Sequence, residues 1–374
     1  MPNKNIVVAG HVCLDITPVF SNNRKLPLES VLVPGKLIEM KGVSVNAGGA
    51  VSNTGLGLKV LGANVELMGK VGDDAFGSLI LDLFQKYDAH HGMIIDKGSN
   101  SSYSVVIAPP GTDRIFLHDS GANDTFCYAD LDFEKISKAS HFHFGYPPIM
   151  KNMYINDGEE LVRIFKKVKE LGLTTSLDMA GVDPESEAGR CDWLNILQRV
   201  LPYVDFFVPS IEELGYMLDK AAYADWMKRA AGSDVTKILS VNQDIKPLAN
   251  KLIELGAKVV LIKCGAPGMF LKTADQEVVS TIKNDFECWA NLEVFEDSYV
   301  PDQILSATGA GDTSIAAFLK AIIDGYEPSR CLQLATATGA SCVTAYDALS
   351  GLKPFEELNT KIDAGWEKQK LANR

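Results

Sequence analysis

No run of apolar residues in this chain reaches the roughly 18 residues that a membrane-spanning helix needs, so a helical span is excluded on length alone. Positive charge is also short. The 36 Lys and Arg against 48 Asp and Glu leave a formal net charge of −12. A chain of that sign repels nucleic acid and anionic membrane surfaces, which removes both as expected partners. Cysteine is sparse and scattered, at positions 13, 127, 191, 264, 288, 331 and 342, with no Cys-x-x-Cys among them. That spacing supports neither a zinc cluster nor a disulfide framework and suits a reducing, cytoplasmic setting. Internal repeats and low-complexity tracts are missing. The first apolar run, Ile6–Ala9, stops at Gly10 and reads as a strand, not as a secretory signal. Two phosphate-binding signatures are absent as well. There is no Gly-x-x-x-x-Gly-Lys-[Ser/Thr] loop, and one glycine follows the first strand where a dinucleotide fold needs several. The histidine pairs 90/91 and 141/143 lack acidic partners at metal-binding spacing.

What is present is an ordinary soluble composition, 46% apolar and 22% charged, spread over 374 residues. That length exceeds an average domain but suits one α/β domain with a small appendage. β-branched runs at 6–9, 43–45, 65–71, 140–144, 173–178, 204–208 and 258–263 read as strands. Amphipathic stretches at 78–87, 158–171, 190–200, 211–218 and 246–255 read as helices. Such alternation means βαβ units on a parallel sheet, with right-handed crossovers and ligands at the carboxyl ends of the strands. Residues 102–108 and 114–118 make a hairpin across Pro109–Asp113, and 267–281 suggest another. Two β-rich excursions, about 17–45 and 100–123, are too short to be domains and together suit one small sheet over the main body. Irregular inserts fall at about 221–245 and 283–303, and helices at 311–323, 328–345 and 355–368 close the chain.

The chemistry concentrates in Ala307-Thr-Gly309-Ala310-Gly311-Asp312-Thr313, a turn of small residues opening into a helix. The first amides of a helix lack intrahelical partners and point outward with the positive end of the dipole behind them, which makes an anion cradle. Asp312 sets a proton acceptor beside that cradle, as phosphoryl transfer to an alcohol requires. The plainer reading is a capping Asp after a tight turn. Gly48-Gly49 opens another helix, with Asn53 one turn in and facing back toward the opening. Tight helix–strand packing would explain the same residues. Asp15 ends a strand-like run at the edge where α/β ligands sit, and a carboxylate there accepts two hydroxyls at once; the alternative is a loop carboxylate. Ser210-Ile-Glu-Glu213 reads either as a capping box or as a carboxylate holding water around a metal-bound triphosphate. Lys263-Cys-Gly265-Ala-Pro-Gly268 carries a buried strand into a Gly-x-x-Gly turn that either admits phosphates or serves the turn alone.

Taken in order, Gly48-Gly49-x-x-x-Asn53, Gly69-Lys-Val-Gly72-Asp73-Asp74-Ala-Phe-Gly77, Gly121-Ala-Asn123, Glu213, Gly265 and Gly309-Ala-Gly-Asp312 resemble the ribokinase-like (PfkB) carbohydrate kinases from about residue 5 to 350. The resemblance implies a single kinase domain over 1–374. Its fold would be an α/β three-layer sandwich, a mostly parallel sheet flanked by helices, with a β lid formed by 17–45 and 100–123. It implies ATP- and Mg2+-dependent phosphorylation of a hydroxyl on a sugar or sugar acid. By position, Asp312 is the implied base, and the amides of Gly309, Ala310 and Gly311 are the implied anion hole. Asp15, Gly48, Gly49, Asn53 and Asn123 would hold the acceptor. Ser210, Lys263, Gly265 and Gly268 would line the nucleotide phosphates, Thr336 and Gly339 would border the adenine, and Glu213 would organise Mg2+ through water. The resemblance also implies a homodimer through the uncovered lid. Departures from the family pattern matter. Ser210 stands where Asn is usual, and Lys263 takes a position that is commonly Thr. Ser306-Ala307-Thr308 replaces Asp-Thr-Thr before the cradle, which removes the support for a monovalent cation site.

Three functions stay open on this reading. The first is a kinase for a sugar or sugar acid. The second is a nucleoside kinase on the same scaffold, with Phe20, Phe116 and Tyr146 as pocket liners. The third is a non-catalytic sugar-binding relative, against which the intact Asp312 and its glycines argue. A sugar phosphate is less favoured as acceptor, because the lid segments hold few basic residues: Arg24, Lys25, Lys36, Lys41 and Arg114.

Overall fold

The β-branched runs pair into a nine-stranded sheet, and four further strands make a smaller one. The computed structural model describes residues 4–21, 28–109, 114–283 and 286–369. Its strands are β1 (Ile6–Gly10), β2 (Cys13–Phe20), β3 (Met40–Gly48), β4 (Val65–Gly72), β5 (Met93–Asp96), β6 (Tyr103–Ile107) and β7 (Ile115–Asp119). They continue with β8 (His141–Gly145), β9 (Thr174–Asp178), β10 (Phe206–Phe207), β11 (Val259–Lys263), β12 (Gly268–Thr273) and β13 (Glu293–Asp297). The large sheet runs β13-β12-β11-β10-β9-β8-β1-β4-β5. It is parallel from β5 to β11, and β12 and β13 add to it antiparallel.

The apolar strands feed two cores. Val7 and Ala9 of β1 and Val260 and Ile262 of β11 face one side, while Ile6, Val8, Val259 and Leu261 face the other. Successive side chains point to opposite faces, so a strand apolar at every position suits a sheet covered on both sides. One core takes the helices Lys151–Glu170, Trp193–Val200, Ile211–Leu218 and Lys246–Glu254. The other takes Ala310–Asp324 and Pro328–Cys342. The result is the expected three-layer sandwich. All seven cysteines are free. Among the described residues no helix is long and apolar enough to cross a membrane.

The small sheet has the order β3-β2-β6-β7 and draws on both β-rich excursions. Residues 22–27 and the hairpin turn at 110–113 lie outside the described residues. The strand-like run expected to end at Asp15 continues to Phe20 as β2. Its Pro18 pairs with Val43 of β3 but lies beyond the β6 register, which covers Leu14 to Ile16, so its missing N–H breaks no bond on that side. Other departures have local causes. The 221–245 insert is largely helical: Lys220–Ala230 is rich in Ala, and its buried Trp226 donates from Nε1 to Asp244 Oδ1 at 2.8 Å. The hairpin expected within 267–281 lies one strand earlier, because β12 folds back on β11 and Gln276–Val279 is a helical turn capped by Asp275. In the 283–303 insert, Phe286 and Trp289 pack into the core around Phe206, at ring separations of 5.5 and 6.3 Å, while β13 extends the sheet.

One buried charge group pins the amino-terminal edge of the sheet. Asp205 is fully buried and takes Lys258 at 2.6 Å, Lys169 at 2.7 Å and the amide of Thr175 at 3.0 Å. Asp205→Ala leaves Lys258 buried without its counter-charge. It is expected to cost about 3–5 kcal/mol, read as a lower urea midpoint of unfolding.

Candidate active site

Five parallel strands, β1, β8, β9, β10 and β11, present their carboxyl ends to the amino end of the Ala310–Asp324 helix. Gly309 caps that helix with φ +73°, and a Cβ on it would lie 2.2 Å from Cβ of Ala348, so the turn demands glycine. The Ala310 amide turns back to Ala307 O at 3.3 Å, and the Thr313 amide makes the first helical bond, to Gly309 O at 2.9 Å. The amides of Gly311 and Asp312 fall between them, where a helix has no carbonyl to offer. Asp312 is 5% exposed. Its Oδ2 accepts from Asn53 Nδ2 at 3.0 Å and its Oδ1 from the Tyr146 hydroxyl at 2.6 Å. The sequence marks Tyr146 as a pocket liner at most. Here it follows β8 with φ +69° and ψ +41°, a left-handed conformation that is costly without glycine. Burial, and then the charge of Asp312, push its hydroxyl well above the usual range, so it stays a donor.

Beneath the small sheet, Asp15 stands opposite Asn46 on the β2–β3 ladder. Burial pushes its carboxyl up to about 6; bonds from Cys13 and Ser104 and the charge of Arg114 resist, and Asp312 adds to the rise. Gly48 and Gly49 let the chain pass close by. A Cβ on Gly48 would lie 2.2 Å from Asp15 Oδ2, and one on Gly49 would lie 2.6 Å from His11 Nδ1. His11 is buried and held neutral by that burial and by His118, whose ring is 5.1 Å away. Its Nδ1 has no partner among the described residues, and its Nε2 is 3.3 Å from Ser102 Oγ. Arg114 crosses from the small sheet to Thr308 Oγ1 at 2.9 Å, tying that sheet to the cradle turn.

On the opposite side, Lys263 ends β11 and holds Asp178, the last residue of β9, at 2.6 Å. Burial works against the Lys263 charge, but Asp178, Glu213 and Asp312 outweigh it and keep the ammonium. The capping box is formed: the Ser210 amide donates to Glu213 Oε2 at 2.7 Å, and the Glu213 amide donates to Ser210 Oγ at 3.3 Å. Gly265 (φ +64°) and Gly268 (φ +142°) make the turn from β11 to β12. A Cβ on Gly265 would meet Thr236 Oγ1 at 2.7 Å, which places the 221–245 insert against this turn.

An anion cradle, a carboxylate held on both oxygens and a lysine at the same helix end form the constellation of phosphoryl transfer to an alcohol. Residues 3–354 match the model of the pfkB family of carbohydrate kinases. The chain belongs to that family. It is 24% identical over 297 residues to an uncharacterised sugar kinase of Archaeoglobus fulgidus, covering 79% of this chain and 98% of that one. It is 22% identical over 335 residues to the 2-dehydro-3-deoxygluconokinase of Bacillus subtilis, covering 88% and 90%. Among solved structures, fructokinase from Xylella fastidiosa with bound ATP superposes with a TM-score of 0.69 at 19% identity, covering 97% of this chain and 99% of that one.

Some expected site residues of this PfkB kinase are engaged elsewhere. Asn123 is fully buried; it accepts from the Val12 amide at 3.1 Å and donates to the carbonyls of Val12 at 2.9 Å and Ser120 at 3.0 Å. It locks the β1–β2 link, with both Nδ2 donors and one lone pair of Oδ1 already used. Thr336 is buried and bonds back to the Leu332 and Gln333 carbonyls of its own helix. A Cβ on Gly339 would strike Ser314 Oγ at 2.5 Å, so Gly339 lets two helices touch. Gly268 faces the Glu296 backbone in the same way. Away from the cleft, Asp88, His90 and His91 bring potential ligand atoms within 4.8 Å of one another, which corrects the expectation that the 90/91 pair lacks an acidic partner.

Asp15 ionises with more difficulty in the folded kinase than in the unfolded chain. Stability is therefore lost as pH rises from about 4, the unfolded value, to the folded value of about 6. Asp15→Asn is expected to stabilise the kinase by about 1–3 kcal/mol at pH 7 and to flatten the fall between those pH values. Urea unfolding at about pH 3.5 and about pH 7, on either side of that window, measures both.

Proposed function

We propose that this chain is an ATP-dependent kinase that phosphorylates a hydroxyl of a sugar or sugar acid, within one kinase domain covered by the small sheet. The carrying observation is Asp312, a buried carboxylate at the start of a helix, held at 3.0 Å by Asn53 and at 2.6 Å by Tyr146. In this reading Asp312 takes the acceptor's proton, while the amides of Gly311 and Asp312 and the Lys263 ammonium face the charge that develops on the phosphoryl oxygens; the Ala310 amide, expected in the anion hole, is turned to Ala307 O. Asp15, Asn53 and the backbone of Gly48 and Gly49 hold the acceptor's hydroxyls. The Gly265 turn and Ser210 flank the phosphates. Glu213 fits a metal role through water, because Oε2 is taken by Ser210 and Oε1 is unbonded among the described residues. Bound Mg2+ would supply charge neutralisation of the phosphates there. The small sheet, closing through contacts such as Arg114 to Thr308, would exclude water as a competing acceptor.

The polar lining favours a sugar over a nucleoside. Tyr146 turns its hydroxyl to Asp312, and Phe116 is 50% exposed beneath Arg114, so neither offers a stacking surface over the acceptor. A panel of sugars, sugar acids, polyols and nucleosides with MgATP, read by ADP release, is expected to single out a sugar or sugar acid. Turnover confined to a nucleoside would reverse that assignment. Asp312→Asn is expected to lower kcat by at least about a thousandfold while MgATP still binds. Substantial retained turnover would remove Asp312 as the base.

We also infer a homodimer through the small sheet. Val43, Val45 and Leu117 are exposed, and the ladder register puts them together on the face opposite Asp15. Sedimentation velocity is expected to give twice the chain mass, and Val43→Glu to give the monomer.

A further inference from the structure

The Lys263–Asp178 pair sits at the mouth of the cradle, and nothing in the functional reading assigns Asp178. The two residues end strands that flank β10, and Ser210 bridges to Lys263 beside them. The Lys263 stem lies over the start of the Ala310–Asp324 helix: a Cβ on Gly311 would be 3.4 Å from its Cδ and 4.0 Å from its Nζ. Its ammonium meets Asp178 Oδ1 at 2.6 Å, and the Met179 amide donates to the same oxygen at 2.8 Å. Asp178 Oδ2 is buried with no partner among the described residues.

As a purely structural device this pair is poor. A buried ion pair seldom adds net stability over apolar residues of the same shape, and a carboxylate oxygen left unbonded adds a further cost. As a holder of charge it is well made. An ammonium has three N–H donors, and the contact with Asp178 uses one. The helix dipole would push a lone cation away from the amino end, and Asp178 supplies the attraction that keeps it there. The backbone ties the pair to the segment that orients Asp312: the Tyr146 amide donates to the Asp178 main-chain carbonyl at 3.3 Å.

We propose that Asp178 is a positioning residue for phosphoryl transfer, holding the Lys263 ammonium at the helix amino end so that its remaining N–H groups meet the phosphoryl oxygens. This rests on the ATP-kinase reading. It places Asp178 one step from the reacting atoms, acting through Lys263 and not on the acceptor.

A double-mutant cycle tests it. Wild type, Asp178→Asn, Lys263→Met and the double variant are compared for kcat with the best acceptor of the panel, for MgATP affinity without acceptor, and for Tm. Lys263→Met is expected to lower kcat by roughly a hundredfold, the effect of losing one preorganised donor. Asp178→Asn is expected to lower it by at least about tenfold through misplacement of the ammonium. The decisive comparison is the double variant, which is expected to match Lys263→Met within about twofold, because Asp178 has nothing left to position. A structural role would instead lower kcat again in the Lys263→Met background. That result, or wild-type kcat in Asp178→Asn, overturns the proposal. If Asp178→Asn does not fold, Lys263→Met against the double variant still decides, since neither contains an unpaired buried lysine. Wild-type protein that binds no MgATP would overturn the kinase reading and the role of Asp178 with it. MgATP binding by all four proteins with additive losses would leave the kinase reading intact and remove Asp178.

Discussion

Two hydrogen bonds onto one carboxylate set the relative positions of everything else in the cleft. Asp312 lies beside a helix amino end, where a carboxylate ordinarily swings back to cap its own amides. It does not do so here, because Asn53 and Tyr146 hold both oxygens. Asn53 belongs to the helix that follows β3, and Tyr146 to the chain leaving β8. The small sheet, the large sheet and the cradle helix are therefore tied at a single side chain. Each carboxylate oxygen has more than one lone pair, so an acceptor hydroxyl can approach without expelling either donor. The amides of Gly311 and Asp312 remain directed at the space ahead of the helix, not at the protein.

Charge around that carboxylate is arranged with the same economy. Asp15, Asp178, Glu213 and Asp312 bring four acids to one cleft; burial above all, with Asp312 adding, raises the cost of ionising Asp15 and Asp178, and Lys263 works against it at Asp178. Lys263 answers on the sheet side and Arg114 on the small-sheet side. Lys263 pairs with Asp178 and Arg114 reaches Thr308, while the hydrogen bonds onto the Asp312 carboxylate come from Asn53 and Tyr146.

Much of this can be read from the chain, and what cannot has a physical reason. The sheet follows from apolar runs of strand length, and the cradle from glycines whose backbone angles no other residue adopts easily. Asp312 and Lys263 fall at a helix start and a strand end, where position along the chain already says what they face; Asp15, expected to end a strand-like run, lies inside β2. Tyr146, His11, His118 and Asp178 are different. Their neighbours come from strands 30 to 160 residues away, roughly, and a single strand pattern carries no register between partners. Asn123, Thr336 and Gly339 fail in the opposite direction. Their places in the order of motifs are right, but their bonding capacity or their space is used by Val12, Leu332 and Ser314. The helix at Lys220–Ala230 was hidden by the polar, loop-like composition around it, and the packing of Trp226 is what fixes it.

Several features that cost the fold lie together in the cleft. Tyr146 is left-handed without being glycine, Asp15 is a carboxyl driven up by burial, and both His11 Nδ1 and Asp178 Oδ2 are buried without partners among the described residues. Each would be relieved by a common substitution, and none contributes to either hydrophobic core. They lie along the carboxyl ends of three neighbouring strands, β1, β8 and β9, and on the small sheet above them, while other left-handed residues, such as Asn156 and Asn291, lie elsewhere. Two well-packed cores supply the stability that tolerates such strain. The unfavourable terms are best understood together, as the cost of holding polar groups dry and aimed before a substrate arrives. On that view the cleft's instability and its preorganisation are one property, and Asp312 is where the two meet.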